Sequence, residues 1–349
     1  MTVTQRLRPV SIKDVAAHAG VSPKTVSRVH NGEPFVRPEV RQRVQDAIAA
    51  LNYRPDAAAR SLSGRRSYLL GLLIDDPGSQ YAADIHFGAL MRSRERQYHL
   101  VVEPIDLRMP DWQRFVTAAV GSLRLDGVVL APPLCDDPAL LDLLATLALP
   151  FVRIAPFKSP DLSPRVFIDD EAGAHALTTL LVSRGHRRIA FIRGNPAHSA
   201  AHQRLAGYRR ALAEAGLPPD PGLVFDGDFS FASGAMAGRA VLACDPLPTA
   251  VFASNDDMAL GVTAELSRHG LAVPRDLSVA GFDDTPAGAE YVPGLTTVRQ
   301  PKVEMAAAAI DLLVALTSQQ PAAPAVELAF SIIERGSIAT LPGALTSMS

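Results

Sequence analysis

Polar residues that could bind a small molecule follow several short apolar runs of the sequence. If these runs are parallel strands, their carboxyl ends meet at one edge of a sheet, where open α/β folds bind ligands. Carboxylates accept hydrogen bonds from hydroxyl groups, amides donate and accept, and Arg donates a fork of N–H groups. Such a set suits a neutral, polyhydroxylated ligand. Its members are Asp75, Asp76, Arg193, Asn195, Arg204, Asn255, Asp256, Asp257, Asp283 and Asp284.

Two aromatic residues near these runs could complete a binding site. Tyr81 follows the first run, and Phe229 stands in the segment GDFSFASG. Either ring could offer an apolar face to a sugar ring or a nucleobase.

Each carboxylate also has a plainer interpretation as a helix cap. An Asp that follows a strand often caps the next helix by accepting from its free N–H groups. We expect roughly half of the carboxylates to be caps, and Asp76, Asp256 and Asp284 are the first choices.

The first 30 residues have the spacing of a helix-turn-helix. Ser11 can cap a helix whose apolar residues recur at i, i+3, i+4 and i+7, and Gly20 ends it. Ser22 then caps a second helix, with Pro23 at its first position, where a missing N–H costs nothing. In this motif the second helix enters the major groove of DNA. A third helix is predicted from about Pro38 to Leu51.

The outward face of the second helix is polar and basic, as a DNA-reading surface needs to be. An Arg can bond the O6 and N7 atoms of guanine together, and a Lys can bond guanine or phosphate. Hydroxyl groups and the positive start of a helix suit phosphate. A small helical bundle with a solvated basic face is the alternative interpretation. The predicted face consists of Ser22, Lys24, Thr25, Ser27 and Arg28.

Charge is divided unevenly along the 349 residues. The formal net charge is −2, but residues 1–66 hold 12 Lys+Arg and 5 Asp+Glu, which gives this segment +7. The remaining 283 residues carry −9. A basic head on an acidic body indicates a nucleic-acid-binding module attached to a domain with another function.

The body alternates β-rich runs with amphipathic helical stretches. Repeated βα units and an apolar content of 48% predict an α/β body with two doubly wound parallel-sheet lobes. In the sequence this body follows an N-terminal all-α domain. Strands are predicted at Leu69–Ile74, Leu100–Glu103, Gly127–Ala131, Phe151–Ile154, Ile189–Arg193, Ala250–Ala253 and Leu277–Gly281. Helices are predicted at Ala82–Arg96, Ala172–Arg184, Arg204–Ala215 and Met258–His269.

Two local features of the chain stand out from this pattern. The stretch NYRPDAAARSLSGRRS, residues 52–67, favours helix but has too little apolar surface to fold alone, so we predict a linker that orders conditionally. Arg153 interrupts an apolar strand, and we expect it either to reach the cleft or to sit at a sheet edge.

The sequence lacks residues that several other classes of protein require. Cys135 and Cys244 form no C-x-x-C, so we expect a reducing, cytoplasmic environment. The N-terminus has no apolar secretory segment, and no apolar run is long enough to span a membrane. His198 and His202 have the spacing of metal ligands without a third ligand, so no metal or cofactor is predicted. No G-K pair or G-x-S-x-G motif occurs, and we expect no enzymatic activity.

Long ordered motifs carry a family resemblance. The head contains I-x-D-V-A-x-x-A-G-V-S-x-x-T-V-S-R-V, then N-G, then A-L-N-Y-x-P-x-x-x-A-R-S-L. The body contains HQRLAGYRRAL, SNDDMALG and GFDDTPAGAEYVPGLTTVRQP. Together these segments resemble the LacI/GalR family of transcriptional repressors, whose effector domain is similar in fold to periplasmic sugar-binding proteins.

The resemblance implies a division of the chain. It places a helix-turn-helix head at 1–52, a hinge segment at 53–66, a two-lobed effector-binding and dimerisation domain at 67–343 and a tail at 344–349. Within the large domain, the N-lobe is expected at about 67–166 and 299–327, and the C-lobe at about 167–298 and 328–343.

The resemblance also implies roles for individual residues. Pro23, Lys24 and Arg28 fall where the family's recognition helix contacts bases, and Leu62 falls on the hinge leucine that wedges into the minor groove. Ala155 departs from the lactose-responsive member, which has a sugar-binding Asp there, so the ligand is expected to be bound differently in detail. The residues that match effector contacts are Tyr81, Arg204, Phe229, Asn255, Asp283 and Gln300.

The function implied is that of a homodimeric repressor of carbohydrate-utilisation genes, located on the nucleoid. It would bind a pseudo-palindromic DNA operator and release it when a small sugar binds. An alternative within the family senses a nucleobase or a phosphosugar, or uses its ligand as a corepressor. Two other classes are a periplasmic solute-binding protein, which would lack the basic head, and a sugar-acting enzyme, which would need a nucleophile or a spaced acid pair.

Overall fold

The computed structural model describes residues 10–30, 35–51, 53 and 66–342. The chain divides into two compact units, Met1–Tyr68 and Leu69–Ser349. Of the predicted hinge segment only Tyr53 and Arg66 fall in the described ranges, and Leu62 lies outside them. Within the described ranges no helix is both long and apolar enough to cross a membrane.

The described part of the first unit consists of α1 Ile12–Ala19, α2 Pro23–His30 and α3 Pro38–Ala50. The helices pack around a small apolar core that includes Val15 and Val44. The turn before α2 uses Gly20, whose φ of 66° is a left-handed conformation that favours glycine. Ser22 Oγ accepts a hydrogen bond from the N–H of Thr25 at 3.1 Å and so caps α2. The predicted turn and this cap are confirmed.

The second unit continues the chain with alternating strands and helices. Its strands are β1 Leu69–Ile74, β2 His99–Pro104, β3 Gly127–Leu130, β4 Phe151–Ile154, β5 Arg165–Phe167, β6 Ile189–Arg193, β7 Val224–Asp226, β8 Ala250–Ala253, β9 Ser278–Ala280, β10 Thr297–Arg299, β11 Ala325–Glu327 and β12 Ser331–Ile333. Its helices are α4 Gln80–Glu95, α5 Trp112–Leu123, α6 Pro138–Thr146, α7 Asp170–Ser183, α8 Ser199–Glu214, α9 Phe231–Leu242, α10 Asp256–Arg268, α11 Pro286–Glu290 and α12 Lys302–Thr317.

Two parallel sheets organise this unit. The first has the strand order β11-β5-β4-β3-β1-β2, and the second has the order β7-β6-β8-β9. Residues 70–74 of β1 are all buried, which requires helices on both faces of the first sheet. Strands β10 and β12 form a separate antiparallel pair. The predicted architecture of parallel sheets with helices, preceded in the sequence by a helix-turn-helix domain, is therefore confirmed.

The predicted ends of the strands agree best with the structure where apolar runs are buried on both faces of a sheet. Predicted strand ends match the structure for β1, β4, β6 and β8. The helices begin earlier than predicted, at Gln80, Asp170, Ser199 and Asp256, because polar first turns carry no apolar periodicity. Arg204 therefore lies inside α8 rather than at its start.

Arg153 is fully buried in β4, an internal strand, so both predictions for it were wrong. Its guanidinium donates to the carbonyl oxygens of Lys158 at 2.9 Å and Ser159 at 2.6 Å. It also donates to Ser163 Oγ at 3.0 Å. These bonds hold the loop that follows β4, because a buried guanidinium must satisfy its N–H groups within the protein.

Candidate functional site

A cavity of about 350 Å³ lies at the carboxyl ends of strands from both parallel sheets. Asp75 and Pro132 line it after strands of the first sheet. Asn195, Asn255 and Asp283 line it after strands of the second sheet. The volume falls within the range of small-molecule sites, and the location is that expected for open α/β sheets.

The structure brings five of the six predicted ligand-contacting residues to this cavity. The sixth, Gln300, does not appear among the described lining residues, but its Nε2 donates to Asp283 Oδ1 at 2.5 Å. Gln300 is thus placed to orient a lining carboxylate. The five lining residues are Tyr81, Arg204, Phe229, Asn255 and Asp283.

Arg204 presents a charged guanidinium from a buried position in α8. Its Nε donates to Asp170 Oδ1 at 2.8 Å, and a terminal N–H donates to the Ser254 carbonyl at 2.5 Å. The guanidinium carbon lies 3.6 Å from the centre of the Phe282 ring. An ion pair, a carbonyl bond and an aromatic face together fix the orientation of this fork at the cavity wall.

Phe229 supplies an aromatic wall that its neighbours hold in place. Its φ of 74° is a left-handed conformation uncommon for a bulky residue. Asn255 Nδ2 donates to the Phe229 carbonyl at 2.9 Å, which fixes this backbone. The ring needs a glycine opposite it, because a Cβ on Gly194 would lie 2.0 Å from the Phe229 Cζ atom. The His198 ring centre lies 5.1 Å from the Phe229 ring centre.

The helix caps around the cavity are not the carboxylates that we predicted. A cap is the residue just before the first helical residue, and the observed cap lies one position from Asp256 and Asp284 and three positions from Asp76. Asp76 accepts instead from the N–H of Gly78, within its own turn. The capping side chains are those of Ser79, Asn255 and Thr285.

Asp256 and Asp284 do not cap helices, and their carboxylates accept hydrogen bonds from other parts of the second unit. Asp256 is buried and accepts from Thr297 Oγ1 at 2.6 Å and from the Thr285 N–H at 2.7 Å. Burial raises the pKa of Asp256 to about 7, with the nearby charge of another carboxylate adding to the effect. Asp284 pairs with two arginines, Arg299 at 2.5 Å and Arg335 at 2.6 Å.

Carboxylates dominate the electrostatics of the cavity. Among the lining residues that the structure describes, Arg204 supplies the permanent positive charge, and Asp170 already pairs with it. Burial, together with nearby Arg204, lowers the pKa of His198 to about 4, so this ring is neutral near pH 7. Such a cavity repels anions and offers acceptors to hydroxyl groups. The lining carboxylates are Asp75, Asp76, Asp228, Asp257 and Asp283.

Several lining residues were not predicted from the sequence, among them Gln80, His198 and Asp228. Asp228 directly precedes Phe229 in the same motif, which was an available signal. His198 was considered only as a metal ligand together with His202, whose Nε2 hydrogen-bonds the Pro196 carbonyl oxygen at 2.8 Å. Across the described ranges, no three His, Cys, Asp or Glu side chains group closely enough to hold a metal ion.

The predicted DNA-reading face lies on the surface of the first unit. Ser22, Pro23, Lys24 and Arg28 are exposed, whereas the side chains of the other two predicted residues, Thr25 and Ser27, are half-buried. Thr25 Oγ1 lies 2.9 Å from Ser22 Oγ, so these two hydroxyl groups form one pair at the start of α2. The face is accessible to a large partner such as a DNA groove.

A helix-turn-helix head and a parallel-sheet unit with a ligand-sized cavity together define a ligand-responsive DNA-binding regulator. Comparison with known families supports both parts. Residues 11–56 match the bacterial regulatory proteins of the lacI family, and residues 178–338 match a periplasmic binding protein-like domain.

Full-length relatives and solved structures agree with this division. Catabolite control protein A of Priestia megaterium is 34% identical over 305 residues, which cover 87% of this chain and 91% of the relative. The ribose operon repressor of Haemophilus influenzae is 32% identical over 304 residues, covering 87% and 90%. The chain belongs to the LacI family and is a DNA-binding transcriptional repressor with an effector-binding domain.

Two solved structures extend the similarity. The complex of transcriptional regulator CelR with cellobiose has a TM-score of 0.72 at 33% identity, covering 95% of this chain and 100% of that one. The lac repressor dimer bound to operator and the anti-inducer ONPF has a TM-score of 0.76 at 28% identity, with the same coverage.

Proposed function

We propose that this repressor releases its operator when a small neutral sugar binds in the 350 Å³ cavity. The observation that carries the proposal is the composition of the lining: carboxylates that accept from hydroxyls, one oriented guanidinium and the Phe229 ring. Related proteins include a cellobiose complex and a ribose operon repressor, which supports a carbohydrate. The proposed contacts are Tyr81, Arg204, Phe229, Asn255 and Asp283, with Gln300 orienting Asp283.

The alternative effectors are a nucleobase and a phosphosugar. The excess of carboxylates disfavours the phosphosugar, because a phosphate would lie beside several like charges with one arginine that is already paired. A nucleobase could stack on Phe229, but it would leave most of the carboxylates without donors.

A thermal-shift screen of the full chain separates these alternatives. The probes are ribose, cellobiose, adenine, guanine and glucose 6-phosphate. A sugar present at 100 times its Kd stabilises the folded state by about 2.7 kcal/mol and raises the Tm. A Tm increase with a neutral sugar supports the proposal, whereas an increase confined to a purine or to the phosphosugar contradicts it.

Operator recognition is proposed for α2 and its preceding turn. Lys24 and Arg28 would contact base edges, and hydroxyl groups at the start of α2 would contact phosphate. Leu62, outside the described residues, is proposed to wedge into the minor groove once two hinge segments meet on DNA. The full proposed set is Ser22, Pro23, Lys24, Thr25, Ser27, Arg28 and Leu62.

Arg28→Ala is expected to cost about 1–3 kcal/mol of discrimination between the operator and a site with one changed guanine. Electrophoretic mobility shifts on an operator selected from random DNA, at fixed salt, measure this. If the substitution lowers the affinity for all DNA sequences by the same factor, Arg28 contacts phosphate and does not read a base.

The repressor is proposed to act as a cytoplasmic, nucleoid-bound homodimer on a pseudo-palindromic operator. Exposed apolar side chains on the second unit suit self-association, and the related lac repressor is described as a dimer. Sedimentation equilibrium should give twice the mass of 37.1 kDa. A monomer at micromolar concentration contradicts this part of the proposal. The side chains concerned are Phe87, Met91, Phe231, Met236 and Val292.

A further inference from the structure

Lys302 is a buried lysine that contacts Asp283, a residue that lines the cavity. It is the first residue of α12, and only 5% of its surface is exposed. Its Nζ lies 2.8 Å from Asp84 Oδ2 and donates to the main-chain carbonyl of Asp283 at 3.1 Å. A buried ammonium group is retained only when its donors are satisfied, so these two contacts define where it must sit.

The backbone of Asp283 needs such support. Its φ of 124° lies in the region that favours glycine, and a non-glycine residue stays there only when its surroundings fix it. Three bonds do so: the Asp283 N–H donates to the Val298 carbonyl at 2.8 Å, Gln300 Nε2 donates to Oδ1 at 2.5 Å, and Lys302 Nζ donates to the carbonyl. All three partners come from the short segment that leads from β10 into α12.

The other partner of Lys302, Asp84, connects it to a second residue that lines the cavity. Asp84 lies on α4 and also accepts from Gln80 Nε2 at 2.9 Å, and Gln80 lines the cavity. One turn later on α4, a Cβ on Gly88 would lie 2.3 Å from the Val303 carbonyl oxygen. The backbones of α4 and α12 are therefore in direct contact next to Lys302.

We propose that Lys302 is a positioning residue for the effector site, which holds Asp283 in its strained backbone conformation and connects it to Gln80 through Asp84. The proposal rests on the proposed function, because it assigns to Lys302 a part in orienting the groups that would contact a sugar. The charge of Lys302 also opposes the rise that burial imposes on the pKa of Asp283. Other charged groups near Asp283 are Arg204, Asp256 and Asp257.

The first test needs no ligand. Hydrogen–deuterium exchange of the full ligand-free chain compares Lys302→Met with Lys158→Met, the same substitution at an exposed lysine. We expect the peptide covering 283–285 to exchange about tenfold faster in Lys302→Met, while peptides of β8 keep the wild-type rate. Lys158→Met should change neither. Unchanged exchange at 283–285, or a parallel increase throughout the second sheet, overturns the positioning role.

A second variant, Asp84→Asn, provides an independent test in case Lys302→Met does not fold. Asp84→Asn removes the charged partner of Lys302 but keeps an oxygen acceptor, and we expect a smaller, two- to threefold increase in exchange at 283–285. Exchange equal to that of wild type in Asp84→Asn contradicts the connection through α4.

Calorimetric titration with cellobiose and with ribose adds the functional readout. Whichever sugar binds wild type should bind Lys302→Met at least about tenfold more weakly, and Lys302→Arg should recover part of the loss because it restores a charged donor. Equal affinity in Lys302→Met overturns the proposal. If neither sugar binds wild type, the proposed sugar effector fails, while the exchange result still decides whether Lys302 positions Asp283.

Discussion

Asp283→Asn is expected to remove the response of operator binding to an effector concentration that just saturates wild type, while leaving operator binding itself intact. The substitution keeps the size of the side chain and the oxygen that accepts from Gln300 Nε2. It removes the negative charge that strengthens hydrogen bonds from sugar hydroxyls. Loss of charge-assisted bonds should weaken sugar binding by about 1.5–3 kcal/mol, or roughly 10- to 100-fold.

Calorimetric titration with the sugar found by the thermal-shift screen measures the first half of this result, and operator binding with and without that sugar measures the second. Asp142→Asn is the matched control, because Asp142 is exposed on α6 and away from the cavity lining. Asp283→Asn with unchanged sugar affinity would remove Asp283 from the binding site.

Arg204→Met is expected to destabilise the second unit by about 3–5 kcal/mol, since it leaves the buried Asp170 carboxylate without its partner. The cost includes the lost bond to the Ser254 carbonyl and the lost contact with the Phe282 ring. Urea unfolding of the full chain, followed by circular dichroism, measures the change in free energy of unfolding.

Two variants make this expectation specific to the buried pair. Arg210 lies on the same helix and pairs with Glu171 at the surface, so Arg210→Met should cost less than about 1 kcal/mol. Combining Arg204→Met with Asp170→Asn should recover part of the stability, because no unpaired charge is left inside. A loss of equal size in Arg204→Met and Arg210→Met would contradict the importance that we assign to burial.

Much of the fold can be predicted from the sequence, because strands buried on both faces of a parallel sheet consist of continuous apolar runs. Phe151–Ile154 and Ala250–Ala253 are examples whose ends were predicted correctly. Three-residue strands such as Val224–Asp226 and Ala325–Glu327 were missed, because so short a run has no periodicity to detect. Their strand character comes from pairing with neighbours that are distant in sequence.

The site was partly predictable for a related reason. Residues that follow strands converge in any parallel sheet, so Asn255 and Asp283 could be placed together at a ligand-binding sheet edge from the sequence alone. The sequence could not show which carboxylates are caps, since one residue of difference in a helix start exchanges a cap for a buried acceptor, as at Asn255 and Asp256. Lys302 gave no signal, because a lysine in a first helical turn usually faces solvent.

Sugar-induced release of the operator is measured by fluorescence anisotropy of an operator duplex, selected from random DNA by the full chain and titrated with protein with and without saturating sugar. We expect the sugar to lower operator affinity by at least about tenfold, within the usual range of coupling between two sites. Operator affinity that stays the same, or rises, when the sugar saturates the cavity would exclude sugar-induced release.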